Sequence, residues 1–363
     1  MERCGISIVM AVYNGERYLR ETLDSIVSQT FTAFEAIIID DASTDATPEI
    51  LRDYAARDPR LRVFRNDKNL RLARSLNRGI SLAAGKYILR MDADDICLRD
   101  RLEKQYAYME RHPDTDVSFC KFFTLQNGEI TPCAVGRACD ADSIRAMFLF
   151  FCPVLHPGVI VRRALMQRYA YDPARTCTED MDLWTRMLAD GVRIACQDAY
   201  LMLYRVHDTS ITATTKERQA KEVAEIERVF YERLLFSPTA AQLSFFIDRI
   251  YFPTACDLAG LCRFYREILA ANRRRRCFSA RHITYAMTEI LAEQRRLFSL
   301  GKKETLSMLR FGGLRFLTAL VQRKRRAAAD IAAARAAADA AGLTPSEITG
   351  AVPVYTLWEE TDG

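Results

Sequence analysis

The sequence predicts an α/β fold with a mostly parallel sheet, followed by a helical C-terminal region. Short apolar runs of strand composition alternate four times with helical patterns between Ile6 and Met91. These runs are almost continuous in Ile, Val and Leu, as is typical of strands buried on both faces of a sheet. Strand–helix–strand units of this kind form right-handed crossovers between parallel strands. From about Thr215 onward, the patterns are helical only.

The individual elements follow from the period of the apolar residues and from the residues that flank each run. Asn14-Gly15 ends the first strand, and Pro48 occupies the first position of a helix for which Thr47 is the expected cap. Strands are expected at residues 6–13, 34–39, 61–64, 86–91, 117–123 and 201–204. Helices are expected at residues 16–29, 48–57, 72–84, 100–111, 142–150, 217–235, 240–250, 258–269, 280–298 and 305–326.

The length and composition are those of a folded globular protein. With 363 residues and a hydrophobic fraction of 49%, the chain should form one large or two smaller domains. We divide it into a sheet domain at 1–212, a helical region at 213–326, and an Ala-rich helix with a loose tail at 327–363. The 11 cysteines show no CxxC spacing, which favours reduced thiols in a cytosolic protein. Neither a signal peptide nor a transmembrane helix is expected from the apolar runs.

Positive charge is concentrated in the C-terminal part of the chain. Residues 1–215 carry 28 Lys and Arg against 30 Asp and Glu, whereas residues 216–363 carry 24 against 17. A basic tail suits an anionic membrane surface or an acidic partner, and a solvated helical face is the alternative. Peripheral contact with the inner face of the cell membrane is therefore one expectation for the tail. The aromatic residues Phe245, Phe246 and Phe252 could instead cover the sheet domain. No nucleic-acid partner is expected.

Polar side chains follow the ends of three predicted strands, at Tyr13-Asn14, Asp40-Asp41 and Asp92-Ala93-Asp94. The carboxyl ends of parallel strands face one crevice, where α/β sheets bind ligands. Alone, the acidic run at 92–95 could equally be a turn or a cap before a helix that starts near Leu98. The coincidence of three signals instead favours a nucleotide and metal site, since carboxylates and substrate phosphates suit a hard divalent cation.

Two nucleotide-binding motifs are missing from the sequence. There is no Gly-x-Gly-x-x-Gly after the first strand and no Gly-Lys-Ser/Thr loop, which argues against a dinucleotide oxidoreductase and a P-loop enzyme. A diphosphate would then be met by the metal and by arginines such as Arg71, Arg74 or Arg90. Each of these arginines could also be an ordinary surface residue.

The motifs Ser7–Asn14, Asp40–Asp45, Asn69–Gly79 and Asp92–Asp95, in this order, resemble family 2 glycosyltransferases over about residues 4–215. The resemblance implies a GT-A fold, which is a Rossmann-like, mixed and mostly parallel sheet flanked by helices. It also implies a nucleotide-diphosphate sugar donor, with a UDP-sugar expected, and Mg²⁺ or Mn²⁺ at Asp92 and Asp94. Asp41 would accept the imide N–H of uracil. The implied nucleotide-sugar site comprises Ala11, Tyr13, Asn14, Glu16, Asp41, Arg71, Arg74, Asp92, Ala93 and Arg205. Arg71 departs from the family, which often has Gly there.

The acceptor side is implied by a second acidic motif, Glu179-Asp180-Met181-Asp182-Leu183-Trp184. By resemblance, Asp180 is the base that removes the acceptor hydroxyl proton, with Glu179 as its neighbour. Acids are also favoured in the first turn of any helix, so a structural role is the alternative. His156 would lie on the acceptor side and His207 on the metal, although each could be only a turn residue.

These inferences together predict a metal-dependent inverting glycosyltransferase of the cytoplasm. Its acceptor would be a glycan, a lipid-linked sugar or another hydroxyl compound, as in the synthesis of surface polysaccharide or glycolipid. The alternatives are a sugar-phosphate nucleotidyltransferase, which should carry a Gly-rich basic loop after the first strand, and a non-catalytic nucleotide-binding scaffold with a helical interaction tail. The Ala-rich segment at 327–341 has almost nothing to bury and is expected to protrude or fray.

Overall fold

The computed structural model describes residues 4–133, 140–207, 216–251, 255–297 and 329–343. The predicted alternation of strands and helices is confirmed. The strands are β1 Ile6–Val12, β2 Phe34–Asp40, β3 Leu61–Arg65, β4 Tyr87–Arg90, β5 Ile96–Cys97, β6 Val117–Gln126, β7 Glu129–Cys133, β8 Val159–Arg162 and β9 Ile194–Arg205. The helices are α1 Leu19–Val27, α2 Thr47–Arg57, α3 Leu72–Leu82, α4 Arg101–Arg111, α5 Ala141–Met147, α6 Arg163–Arg168, α7 Glu179–Ala189, α8 Lys216–Leu234, α9 Ala240–Phe246, α10 Leu258–Arg275 and α11 Ala280–Leu297.

The strands form one mixed sheet in the order β3-β2-β1-β4-β8-β6-β9-β5, with β7 paired to β6. The first four strands are parallel to one another, as the crossover pattern predicts. β8 then pairs antiparallel with both β4 and β6. The carboxyl ends of β1, β2 and β4 therefore lie side by side, and β4 stands where the sheet changes from parallel to antiparallel pairing.

Both faces of β1, β2 and β4 are buried, whereas the edge strand β3 is only partly buried. Along β1, Ile8 and Met10 belong to the apolar cluster under α1, α2 and α4, whereas Val9 belongs to the cluster under α3. This alternation is the period of two that a strand imposes on its side chains. Since neither face is exposed, the strands read as continuous apolar runs.

Helix α2 begins one residue earlier than predicted. Thr47 is inside the helix and is not its cap, so that prediction is wrong. The Thr47 N–H donates to Asp45 Oδ1 at 2.9 Å, while the Thr47 hydroxyl accepts from the Gly15 N–H at 2.9 Å. Thr47 thus connects the start of α2 to the loop that follows β1.

The C-terminal helices share a core with the sheet. Val223 and Phe230 of α8 belong to the same apolar cluster as Trp184 of α7. Phe246, at the end of α9, is fully buried in this core and contacts the ring of Tyr231 of α8, so this part of the aromatic patch faces the protein interior. The predicted 305–326 helix, Phe252 and the tail beyond residue 343 lie outside the described residues. In the ranges that are described, no helix has both the length and the apolar character needed to cross a bilayer.

The Ala-rich segment does not protrude, contrary to prediction. Residues 329–340 are helical, and Ala334 and Ala338 are each 1% exposed. They contact an apolar cluster of the sheet edge that includes Phe123 and Leu203. Asp330 pairs with the buried Lys121 of β6. The prediction failed because the sheet provides the larger apolar residues, and small alanine side chains allow the helix to approach it closely.

Candidate active site

Two loops at the carboxyl ends of β1 and β2 are joined by reciprocal hydrogen bonds. Asn14 donates its N–H to Ser43 Oγ at 3.0 Å, and Asn14 Oδ1 accepts from the Thr44 N–H at 2.8 Å. Glu16 makes the equivalent pair of bonds to Asp45 and Ala46, at 3.0 and 2.8 Å. Asn14 and Glu16, both predicted for the nucleotide site, thus use their polar groups to connect the loop after β1 to the loop after β2. Tyr13, beside them, has a side chain that is 51% exposed, and Ala11 is partly buried in β1.

The carboxylate of Asp41 is buried and organises the loop before α3. Oδ1 accepts from Asn66 Nδ2 at 2.6 Å and from the Leu70 N–H at 2.8 Å, and Oδ2 accepts from the Arg71 N–H at 2.9 Å. A carboxylate offers about four acceptor positions. Oδ2 of Asp41 therefore keeps capacity for one further donor, such as the N–H of a base.

Arg71 and Arg74 both have exposed side chains. The backbone of Arg71 has φ 69° and ψ 165°, a conformation found almost only in glycine. The Arg71 N–H donates to Asp41 from this position, so the loop requires the conformation. This geometry explains why a glycine suits the position that Arg71 occupies.

We predict that Arg71→Gly stabilises the fold. Backbone strain of this kind costs about 1–3 kcal/mol, and the greater unfolded-state entropy of glycine offsets about 0.5–1 kcal/mol of the relief. Urea unfolding should therefore show a net gain of about 1 kcal/mol. Arg74→Gly is the matched control, since Arg74 lies inside α3 and a helical glycine destabilises by about 1 kcal/mol. Equal effects of the two changes would contradict strain at Arg71.

Three carboxylates converge after β4. One oxygen each from Asp92, Asp94 and Asp95 lies within 4.8 Å of the others. Asp95 is fully buried, its Oδ1 accepts the Arg205 N–H at 2.9 Å, and Oδ2 has no hydrogen-bond partner within the described residues. Because α4 begins only at Arg101, the interpretation of this run as a helix cap is wrong.

The acidic cluster fits a hard divalent cation. Burial raises the pKa of Asp92, and burial together with the charges of Asp94 and Asp92 raises the pKa of Asp95 well above its usual value. Such a group of carboxylates is unfavourable without a compensating charge. Carboxylate oxygens are the ligands that Mg²⁺ and Ca²⁺ prefer, so the donor set and the orphaned Asp95 oxygen are consistent with one cation at this position.

The end of β9 braces this acidic loop. Arg205 Nε donates to the Asp94 carbonyl at 2.9 Å, and Arg205 Nη2 donates to Glu21 at 2.7 Å. His207 Nε2 lies 2.9 Å from Asp94 Oδ2, beside the cluster. The Ala93 carbonyl is within 2.9 Å of the Thr22 hydroxyl. The structure thus brings Arg205 and His207 to the predicted metal site, where the Arg205 guanidinium already has protein partners.

Glu179 and Asp180 form a second acidic group in the first turn of α7. Burial, followed by the charge of Asp180, raises the pKa of Glu179 to about 8. Burial also raises the pKa of Asp180, whose Oδ1 accepts the Met181 N–H at 2.7 Å. Asp180 is partly exposed, whereas Glu179 is buried. The two carboxyl groups titrate as a pair with raised pKa values, and Asp180 is the more accessible of them.

His156 packs against this second group. Its Nε2 lies 2.7 Å from the Tyr171 hydroxyl, and its Nδ1 lies 3.8 Å from Glu179 Oε1. Burial and then the positive charge of Arg90 lower the pKa of His156 well below its usual value, so the imidazole is neutral. His156 therefore lies on the predicted acceptor side, but it is buried.

The sequence matches known glycosyltransferases. Residues 7–130 match the model of glycosyl transferase family 2. An uncharacterized glycosyltransferase of Methanocaldococcus jannaschii is 34% identical over 209 residues, which cover 57% of this chain and 72% of the relative. The putative glycosyltransferase EpsE of Bacillus subtilis is 36% identical over 211 residues, which cover 56% of this chain and 73% of EpsE. The chain belongs to glycosyl transferase family 2.

Solved structures share the fold of this glycosyltransferase. Residues 1–349 of S. aureus TarS superpose with a TM-score of 0.54 at 20% identity, covering 81% of this chain and 90% of that one. The mannosyltransferase PcManGT of Pyrobaculum calidifontis, in complex with GDP-Man and Mn²⁺, gives a TM-score of 0.52 at 18% identity, covering 89% and 87%. At these identities the likeness concerns the fold, and it confirms a GT-A sheet followed by a helical C-terminal region.

Sequence reasoning missed a residue of the glycosyltransferase that supports the acidic turn of α7. Glu222 of α8 accepts from the Thr178 hydroxyl at 2.6 Å and from the Thr176 hydroxyl at 3.0 Å. These bonds hold the segment that leads into Glu179 and Asp180. Glu222 lies 44 residues beyond Thr178 on an apparently ordinary polar helix face, so the sequence carries no local signal for this contact.

Proposed function

We propose that this glycosyltransferase moves a sugar from a nucleotide-diphosphate donor to an acceptor hydroxyl with inversion at the anomeric carbon. The observation that carries the proposal is the presence of two acidic groups around Arg90. Asp92, Asp94 and Asp95 follow β4, and Glu179 and Asp180 begin α7. A direct displacement needs a leaving-group site and a base on opposite sides of the sugar, and these two groups supply them.

Asp180 is the proposed base. Its carboxylate takes the proton of the acceptor hydroxyl as that oxygen bonds to the anomeric carbon and the bond to the diphosphate breaks. Burial and then the charge of Asp180 raise the pKa of Glu179, which disfavours a second negative charge beside the base. His156, whose Nε2 contacts the Tyr171 hydroxyl, lies 3.8 Å from Glu179 through Nδ1 and is proposed to position that carboxyl group.

A divalent cation, Mg²⁺ or Mn²⁺, is the proposed cofactor. Asp94 and Asp92 would hold it, and Asp95 and His207 are adjacent donors. When bound, the cation offsets the negative charge that develops on the departing diphosphate. Arg71 and Arg74, with exposed side chains near the Asp41 loop, are proposed to contact the diphosphate.

The proposed donor is a UDP-sugar, with Asp41 Oδ2 accepting from the base. Structures of TarS with UDP-GlcNAc and of PcManGT with GDP-Man support the nucleotide-sugar class. The acceptor is proposed to be a glycan or a lipid-linked hydroxyl of a surface polysaccharide or glycolipid pathway, reached from the cytoplasm. In this proposal residues 1–212 form the catalytic domain, and residues 213–326 form a helical region that supports it. The basic helices could contact the membrane surface.

Binding of nucleotide sugars tests the proposal. We expect UDP-GlcNAc, UDP-glucose or GDP-mannose, with Mn²⁺, to raise the melting temperature, because a ligand at about 100 times its Kd stabilises the fold by about 2.7 kcal/mol. The same compounds with EDTA are the control and should have a smaller effect. Release of free nucleotide diphosphate over hours would then report slow donor hydrolysis. Absence of any shift across the three nucleotide sugars and their nucleotides would contradict the proposal.

A further inference from the structure

The last residue of β4, Arg90, has a buried guanidinium whose hydrogen-bonding capacity is only partly used. Its side chain is 6% exposed and forms an ion pair with Asp92 through Nη1. Within the described residues, Nε of Arg90 has no hydrogen-bond partner, whereas Nη1 is already engaged by Asp92. A buried donor without a partner is unfavourable, because it has lost its hydrogen bonds to water. Such a group in a native protein indicates that a ligand or water contacts it.

Arg90 lies between the two acidic groups of the site. Asp92 is on one side. On the other side, Arg101 Nη2 bridges the carbonyls of Arg90 and Pro157, which holds the end of β4 against the turn at His156–Gly158. His156 in that turn lies 3.8 Å from Glu179. Burial and then the charge of Arg90 lower the pKa of His156, so the guanidinium lies close to this turn. The free Nε–H of Arg90 is thus located between Asp92 and the acidic turn of α7.

The position of Arg90 limits which part of a nucleotide-sugar donor its side chain could contact. In the proposed function, on which this inference rests, the sugar ring lies between the diphosphate and the base. The charge of Arg90 is already offset by Asp92, so its remaining N–H groups suit a neutral hydroxyl better than a phosphate. Phosphate-binding arginines need a charge that is not already paired, and the exposed Arg71 and Arg74 meet that condition better.

We propose that Arg90 recognises the transferred sugar, with its Nε–H group donating to a hydroxyl oxygen of the ring. Arg90 is then a specificity-determining residue for the donor. A buried site that hydrogen-bonds a hydroxyl of its ligand strongly rejects a ligand without this hydroxyl, because the N–H groups of the site are then left without partners. The Arg90 charge also offsets that of Asp92, so its removal changes more than one contact.

The test compares nucleotide sugars with the corresponding nucleotides. Isothermal titration with Mn²⁺ would measure the Kd of UDP and UDP-GlcNAc, and of GDP and GDP-mannose, for the native chain, Arg90→Lys and Arg90→Gln. Arg90→Lys keeps the charge beside Asp92 but loses the fork of donors. We expect the Kd of the nucleotide sugar to rise about 10- to 100-fold, since a charged hydrogen bond contributes about 1.5–3 kcal/mol. The Kd of the nucleotide alone should stay within about 3-fold of native, a change worth under 1 kcal/mol.

The outcomes separate this inference from the function on which it rests. Arg62→Lys, which alters the ion pair between Arg62 of β3 and Glu35 of β2, is the control and should change neither Kd. If nucleotide and nucleotide sugar weaken in parallel in Arg90→Lys, or if neither weakens, the sugar contact is wrong while the proposed function stands. If the native chain binds none of the four compounds, the proposed function itself fails. Circular dichroism and urea unfolding of Arg90→Lys ensure that the comparison is made on folded protein.

Discussion

Replacing Asp180 with asparagine should reduce sugar transfer by about 10²- to 10⁴-fold, the usual contribution of a positioned general base. The amide is close in size to the carboxylate and can still accept the Met181 N–H, so the first turn of α7 should keep its structure. Donor binding should change little, because Asp180 is assigned to the acceptor. The loss should therefore be in kcat, with the Kd of the nucleotide sugar close to native.

A matched control for this change lies two residues further along the same turn. Asp182→Asn is the same chemical substitution, but Asp182 pairs with Arg186 at 2.8 Å and has no assigned part in the chemistry. It should lower the stability to urea and leave kcat of the folded enzyme near the native value. If Asp182→Asn and Asp180→Asn reduced kcat equally, the base would have to be sought elsewhere.

The pH dependence gives an independent readout of the same residue. Asp180 acts as a base only when ionised, and burial raises its pKa. Activity should therefore fall as the pH decreases through this raised pKa, at a higher pH than for an ordinary aspartate. The residual activity of Asp180→Asn should lack this acidic limb. Persistence of the limb in the variant would assign it to another group.

The sheet and the acidic groups could be predicted because their signals are local. Continuous apolar runs follow from burial on both faces, and the carboxylates of Asp41 and Asp92 stand directly after strands. The order of β8, β6 and β9 could not be predicted in the same way. Their pairing depends on residues far apart in the chain, such as Val117, which lies opposite both Val161 and Ile194.

The supporting contacts of the site escaped prediction for a related reason. Asp95 reads as a helix cap from its neighbours, but the partner of its Oδ1 is Arg205, 110 residues away. The 329–340 helix has few large apolar residues of its own, and its docking depends on Phe123 and Leu203 of the sheet. The sequence around an aspartate such as Asp95, or around the alanines of this helix, is the same whether or not a distant strand contacts these residues.

Removing the Asp94 carboxylate should weaken metal-dependent donor binding by at least about 10- to 100-fold, the range seen even for groups that only support a metal ligand. The expected effect is a higher Mn²⁺ concentration for half-maximal binding of the nucleotide sugar, measured by titration calorimetry in Asp94→Ala. Asp100→Ala is the matched control, because Asp100 forms a surface pair with Lys104 and lies outside the cluster. The same Mn²⁺ requirement in Asp94→Ala and the native chain would exclude Asp94 as a ligand.

Stability distinguishes loss of a ligand from damage to the fold. The charge of Asp94 raises the pKa of both Asp92 and Asp95, so the metal-free loop carries mutual repulsion. Asp94→Ala relieves this repulsion and should therefore be at least as stable to urea as the native chain when EDTA is present. With Mn²⁺ the native chain should instead be more stable to urea than Asp94→Ala, because only the native chain gains the full free energy of cation binding. A variant that is less stable under both conditions would show that Asp94 serves the fold, through its contact with His207, and not the cation.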